Sequence, residues 1–270
     1  MKTAENKNIG LLVAASAAAL GAAGLFAVWP GHAARTETAP FRGRYLAHRG
    51  LHGEGVAENT VSAVSAGAEK LYGAMLDVRV TADGQAVVFH DADAFRMTGI
   101  HVSVEQLALE EAQTLLLRGT DETVPTLREA LAPLRKANVP VIVHILPTKN
   151  YKAACRAVLS VLDEKSGSYC VESEDVRVLA WFRRHARELP RSLRLSADGK
   201  TVRERLASAM LLNFIARPGF FDVEGEGGFA VTLMRALGAF RISRVRHDRS
   251  GEAKNDVLVF EGFLPPAKFR

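Results

Sequence analysis

The chain has 270 residues, 48% of them hydrophobic and 24% charged, with a formal net charge of +5. That balance is globular and excludes a wholly disordered, collagenous or coiled-coil chain. The positive excess suits an anionic membrane surface or an anionic substrate but falls well short of a nucleic-acid-binding composition, so no nucleic-acid partner is expected. Cys155 and Cys170 are too few to staple a fold, and buried free thiols are the first reading, with one bridge between a helix and the next strand as the alternative.

The stretch from Ile9 to Trp29 lacks charge and is rich in Ala, Leu, Gly and Val. At 1.5 Å per residue it matches the hydrocarbon thickness of a bilayer, with Trp29 at an interfacial position and Pro30 as a stop. We expect residues 1–8 in the cytoplasm, a transmembrane anchor over 9–29, a polar linker over 30–44, and one exported domain over 45–270. The small residues of His32-Ala33-Ala34 keep open the alternative of a cleaved signal and a secreted domain.

From residue 45 onward, short β-branched runs alternate with helical patterns. Strands are expected at Tyr45–Ala47, Ala74–Thr81, Ala86–His90, Val141–Ile145, Tyr169–Ser173, Leu193–Leu195, Phe220–Val223, Phe240–Val245 and Val257–Phe260. Helices are expected from an Asn59 cap to Leu71, from Ser103 through Leu117, and over Leu127–Leu134 behind a Thr126/Glu129 capping box. Further helices fit Tyr151–Leu162, Asp175–His185, Thr201–Asn213 and Gly228–Leu237. Such alternation argues for an α/β fold with a mainly parallel sheet. No G-x-G-x-x-G follows the first strand, which disfavours a dinucleotide-binding fold. The length fits a (β/α)8 barrel, in which case one of the nine strands is an accessory.

Polar residues gather at strand ends, where the mouth of a parallel barrel holds its site. His48 and Arg49 follow the first strand, and His90 ends the third. A reversal at Asp83-Gly84 would set Asp77 opposite His90. Period two puts Met75, Asp77 and Arg79 on one face of the second strand, and Ile142, His144 and Leu146 together on the fourth. A lone histidine at a strand end is commonly structural, whereas a carboxylate within a strand demands a partner. The arginines from Arg183 to Arg205 read as a solvated helix face or as a contact for anionic lipid.

Tyr45-Leu46-Ala47-His48-Arg49-Gly50, Glu58-Asn59-Thr60, Asp77-Val78 with Thr81-Ala82-Asp83-Gly84, Val87-Val88-Phe89-His90-Asp91, and Arg96 with Thr98 resemble glycerophosphodiester phosphodiesterases in order and spacing. Weaker similarity continues through Val171-Glu172-Ser173 and Phe260–Pro265, and the apolar segment before His-Arg-Gly is similar to membrane-anchored bacterial members. The resemblance implies a TIM barrel that hydrolyses a phosphodiester, typically to an alcohol and sn-glycerol 3-phosphate. It implies His48 and His90 as general acid and base, Arg49 and Glu58 at the substrate, and a divalent cation, Ca²⁺ or Mg²⁺.

The resemblance breaks at the cation. Asp77 matches one ligand, but Met75 stands where a Glu is usual, His144 replaces the fourth-strand Glu, and Leu146 replaces a Lys. The late Trp-Thr pair is missing around Ile242-Ser243. A thioether does not serve a hard cation. Three readings follow: a phosphodiesterase, weakened or altered in substrate; a non-catalytic relative binding glycerophosphate or lipid headgroups at a membrane; or an enzyme whose His48, Asp77, His90 and His144 take a softer ion such as Zn²⁺ or Mn²⁺.

Overall fold

The computed structural model describes residues 38–164, 167–195, 213–223, 239–246 and 256–265, with scattered positions among 15–29 and 232–237. Nine strands lie among them: β1 (Arg44–His48), β2 (Gly73–Val80), β3 (Ala86–Val88), β4 (Val141–Ile145), β5 (Tyr169–Ser173), β6 (Arg191–Leu195), β7 (Phe220–Val223), β8 (Phe240–Arg246) and β9 (Val257–Glu261). β1 pairs in parallel with β2 on one side and β9 on the other, and the remaining strands link these two through β4 to β8. Eight parallel strands thus curl into a TIM-like ring. The ninth, β3, pairs antiparallel with β2 and stands outside it.

Period two explains the layering. Leu76, Val78, Val141, Val143, Ile145 and Val171 point outward, beneath α1 (Val61–Glu69), α2 (Leu127–Ala137), α3 (Tyr151–Asp163) and α4 (Val176–His185). Leu46, Met75, Ile142, Cys170, Phe220, Ile242 and Val259 point inward and form an apolar floor. Phe41, in the stretch read as linker, closes the floor from below, its ring 5.3 Å from that of Phe220. Each such buried side chain contributes about 1.5–3 kcal/mol of transfer free energy.

Helix boundaries follow their caps. Thr60, not Asn59, caps α1 by accepting from Ala63 N at 3.1 Å. Asn59 instead has φ +59° and faces the barrel mouth. The Thr126/Glu129 box forms as expected, and Asp175 caps α4. The helix expected from Ser103 to Leu117 breaks into a 3-10 turn at Val104–Gln106 and a short helix at Leu109–Ala112. Leu115 and Leu117 are buried while Leu116 is exposed, so this stretch packs with extended-chain alternation beside Val87 and Phe89. The helices expected over 201–213 and 228–237 lie largely outside the described residues.

The apolar run at 9–29 also lies mostly outside the described residues, and among those described no helix is long and apolar enough to cross a membrane. Of the arginine-rich stretch, Arg183 binds the carbonyls of Phe214 and Ile215. Arg191 is buried among backbone carbonyls, and Arg194 lies on β6 rather than on a helix. Arg183, Arg191 and Arg194 therefore do not belong to a solvated helix face, whereas Arg184 on α4 is exposed.

The two cysteines are free. Cys155 belongs to the outer layer and Cys170 to the floor, so β-sheet backbone separates them. Burial pushes the Cys155 thiol up to about 12 and Cys170 well above its ordinary value. A thiol reagent such as DTNB should therefore label neither cysteine in the native protein and both after denaturation without reductant. No free thiol under denaturing conditions would indicate a bridge.

Candidate active site

The mouth is built one two-residue step above the floor. On β1, Leu46 is floor and His48 rim. On β2 the same step runs from Met75 to Asp77, on β4 from Ile142 to His144, and on β5 from Cys170 to Glu172. Met75 is thus fully buried among apolar side chains, and its sulfur belongs to the floor rather than to the site.

After β1 the chain turns through Arg49 at φ +59° and Gly50 at φ +81°. A Cβ at Gly50 would lie 2.7 Å from the Ala63 carbonyl carbon, so helix α1 approaches too closely for any side chain there. Holding a non-glycine residue such as Arg49 at positive φ costs of order 1 kcal/mol and is tolerated where the surroundings impose it. Here Arg49 N donates to Met75 O at 2.7 Å, and Asn59 N donates to Arg49 O at 2.8 Å.

Glu58-Asn59-Thr60 divides three tasks. Glu58 Oε1 accepts from Arg49 Nη1 at 2.9 Å and from Arg96 Nη2 at 2.5 Å. Asn59 Nδ2 donates to Asp77 Oδ2 at 3.4 Å. Thr60 caps α1.

Two histidines are each held through Nδ1 by a carboxylate. His48 Nδ1 lies 3.0 Å from Glu261 Oε2, and His90 Nδ1 lies 2.7 Å from Asp91 Oδ1. Asp91 Oδ2 accepts from Arg96 Nε at 2.6 Å. Burial opposes ionisation of Asp91, but hydrogen bonds from Arg96 and His90 lower its pKa overall. A chain of contacts therefore links His90 through Asp91, Arg96 and Glu58 to Arg49.

His90 is not opposite Asp77. The hairpin pairs Val78 with Val88 and Val80 with Ala86, and Phe89 N donates to Asp77 O at 2.9 Å. Ala82-Asp83-Gly84 is a three-residue loop with Gly84 at φ +83°, which moves the register by one residue from a two-residue turn. His90 reaches the mouth because β2 runs past the rim and β3 returns to it, not because β3 belongs to the parallel ring.

The partner of Asp77 is His144, whose Nδ1 lies 2.8 Å from Asp77 Oδ1. The other oxygen of Asp77 lies 2.8 Å from Arg49 Nε. His144 Nε2 lies 3.0 Å from Glu174 Oε2, and Glu174 Oε1 lies 3.3 Å from Arg194 Nε. Burial alone would raise Asp77; the hydrogen bond and charge of His144, then Arg49, hold it well below its ordinary value. Burial likewise opposes the charged form of His144, yet Glu174 and Asp77 raise its pKa from 6.5 to about 9. Glu174 is lowered from 4.5 to about 2, chiefly by His144 against burial. Two acceptor-only carboxylates leave the imidazole a proton on each nitrogen.

The divalent cation that the resemblance implies does not fit these donors. Both Asp77 oxygens are engaged by cationic groups, Met75 offers only a buried thioether, and neither His144 nitrogen keeps a lone pair for an ion. The positions that the resemblance assigns to the cation therefore offer Ca²⁺ and Mg²⁺ no free oxygen ligand, and Zn²⁺ and Mn²⁺ no neutral imidazole at 144. Among the described residues no group of three His, Cys, Asp or Glu side chains could hold a metal.

Of the residues singled out from the sequence, His48, Arg49, Glu58, Asp77, His90 and His144 all belong to the mouth and its supporting contacts. Glu174, Glu261 and Arg194 were missed as site residues. Glu174 and Glu261 carry the signal that marked His48, a polar residue ending or following a buried strand.

The model of the Glycerophosphoryl diester phosphodiesterase family matches residues 48–222. Lysophospholipase D GDPD1 of Rattus norvegicus is 31% identical over 121 residues, covering 39% of this chain and 37% of that protein. The human protein of the same name is 30% identical over 126 residues, 41% of this chain and 38% of that one. The chain thus spans well under half the length of the curated relatives it matches. An Oleispira antarctica phosphodiesterase solved with the product sn-glycerol-3-phosphate shares the fold at TM-score 0.68 and 19% identity, over 83% of this chain and 94% of that one. A Thermotoga maritima glycerophosphodiester phosphodiesterase does so at TM-score 0.62 and 22% identity, over 80% and 93%.

The His144 contribution is complete below pH 6.5 and lost as pH rises through about 9; that of Glu174 is complete above pH 4.5 and lost as pH falls through about 2. Thermal melts should show the folded state losing on the order of 2–3 kcal/mol between pH 6.5 and 9. His144→Gln should start less stable and lose less over that range. An equal alkaline decline in both proteins would show that His144 is not charged.

Proposed function

From the membership of this chain in the Glycerophosphoryl diester phosphodiesterase family, we propose that it hydrolyses a glycerophosphodiester to an alcohol and sn-glycerol 3-phosphate. The observation that carries the reading is the pair of histidines, each oriented through Nδ1 by its own carboxylate: His48 immediately precedes Arg49, and His90 is linked to Arg49 through Asp91, Arg96 and Glu58. A carboxylate on Nδ1 selects the tautomer and leaves Nε2 as the proton-transferring nitrogen. Attack on a phosphodiester needs one proton acceptor, one donor, and positive charge at the non-bridging oxygens. Water oxygen bonds to phosphorus while the bond from phosphorus to the alcohol oxygen breaks. One histidine takes the water proton, and the other gives a proton to the departing alcohol. Arg49 supplies charge to the phosphate from a backbone held rigidly by Met75 and Asn59.

The product bound to the Oleispira antarctica neighbour and the lysophospholipase D names of the curated relatives support glycerophosphodiesters, including those with an acyl chain, as the substrate class. For location, the reading is a membrane protein of the anchored bacterial type, with the 9–29 run as anchor and the barrel exported. The uncharged run of that length after Lys2 and Lys7 supports it.

With purified protein and glycerophosphocholine, His90→Ala and His48→Gln should each lower the hydrolysis rate by about 10²–10⁴-fold, the usual contribution of a positioned acid or base. Circular dichroism should show both folded. Parental rates in both variants would sink the acid-base roles, and glycerophosphate binding without turnover in the parent would favour a non-catalytic headgroup binder.

A further inference from the structure

Five charged groups form a continuous row around the mouth. Arg49 Nε is 2.8 Å from Asp77 Oδ2, and Asp77 Oδ1 is 2.8 Å from His144 Nδ1. His144 Nε2 is 3.0 Å from Glu174 Oε2, and Glu174 Oε1 is 3.3 Å from Arg194 Nε. Charge alternates along it: guanidinium, carboxylate, imidazolium, carboxylate, guanidinium. The groups come from successive neighbours in the ring: the loop after β1, then β2, β4, the residue after β5, and β6. The middle is the most deeply buried part, with His144 at 0% exposure and Asp77 at 1%. The ends are more open, Arg49 at 11% and Arg194 at 27%. Among the described residues, Arg49 Nη2 and both Nη groups of Arg194 have no protein partner.

We propose that this row stands in for a bound metal ion, with His144 as the protein's own buried cation, and that Arg194 is a second phosphate-binding residue opposite Arg49. The inference rests on the hydrolase reading for the identity of the ligand. Its physical grounds are separate. A buried pair of carboxylates needs a cation between them. A divalent ion would meet that need through oxygen ligands, whereas here an imidazolium meets it through two hydrogen bonds. Within the row, the two ends that open towards solvent are both guanidinium groups, the sign that an anionic diester requires. Arg49 Nη1 is taken by Glu58, which leaves Nη2 for a phosphate oxygen, whereas Arg194, with Nε beside Glu174, keeps both Nη groups, the fork that binds phosphate oxygens. Arg49 and Arg194, at opposite ends of an arc over five of eight strands, can then hold one phosphate from two directions.

The test uses the purified full chain. Elemental analysis should find far less than one divalent metal per chain, and EDTA should leave glycerophosphocholine hydrolysis unchanged. Arg194→Gln should weaken binding of inorganic phosphate, followed by calorimetry, and raise KM by roughly 10-fold or more, the loss of charged hydrogen bonds. The effect on kcat should be smaller, and Arg194→Lys should recover part of the affinity. One metal per chain that EDTA removes together with activity would overturn the proposal, as would unchanged phosphate binding in Arg194→Gln. A parent that binds phosphate through Arg194 without metal, yet hydrolyses no glycerophosphodiester, would leave the clamp standing and overturn the hydrolase reading instead.

Discussion

The contact between Asp77 and His144 governs the rest of the mouth. A carboxylate at 1% exposure is expensive to bury as an ion, by several kcal/mol if unpaired. Asp77 is kept charged by a ring on the neighbouring strand, by Arg49 from the preceding loop, and by Asn59 from the loop before α1. These three contacts tie together parts of the chain that no local preference would join. Arg49 lies in the left-handed region because its side chain must reach Asp77 and Glu58 while its backbone answers to Met75 and Asn59. The same requirement leaves Gly50 no room for a side chain against α1.

The barrel separates chemistry from stability by two residues. Below the rim, Met75, Ile142 and Cys170 join Leu46, Phe41 and Phe220 in a closed apolar plug. Above it, Asp77, His144 and Glu172 face one another across strand pairs. A methionine at 75 is therefore at home in this protein: its long, unbranched side chain fills the floor. A glutamate there would face apolar neighbours unless an ion drew it upward. The exchange of Glu for Met at 75 and of Glu for His at 144 is coherent when taken together. Loss of two carboxylates and gain of one imidazolium shift the site in the direction that removing a divalent cation would demand.

The hairpin of β2 and β3 supplies what the ring cannot. A barrel strand ends at the rim, so a side chain that must come down onto the site from above needs another support. β2 overshoots the rim, turns through Ala82-Asp83-Gly84, and β3 brings His90 and Asp91 back. Arg79 on the overshoot holds the His90 carbonyl at 2.9–3.1 Å and pairs with Glu105, which anchors the hairpin to the turn beyond it.

The sequence by itself determined the strands. All nine were legible, because β-branched runs of period two bounded by turn residues have few other uses. It also determined the inward faces of β2 and β4, and the capping box of α2, since these depend on neighbours within a few residues. His48, Arg49, Glu58 and His90 stood out by type and position. What it could not determine was pairing. Ser103 reads as the start of one helix through Leu117, and only burial of Leu115 and Leu117 against Val87 and Phe89 made the end of that stretch extended. The one-residue shift at Gly84 was invisible because Asp-Gly serves two-residue and three-residue loops alike. The row from Arg49 to Arg194 spans 145 positions of sequence, and its members touch only because the sheet closes. Local spacing carries no information about which strand lies beside which, so the charge of His144 and the positions of Glu174, Glu261 and Arg194 were decided by the tertiary structure alone.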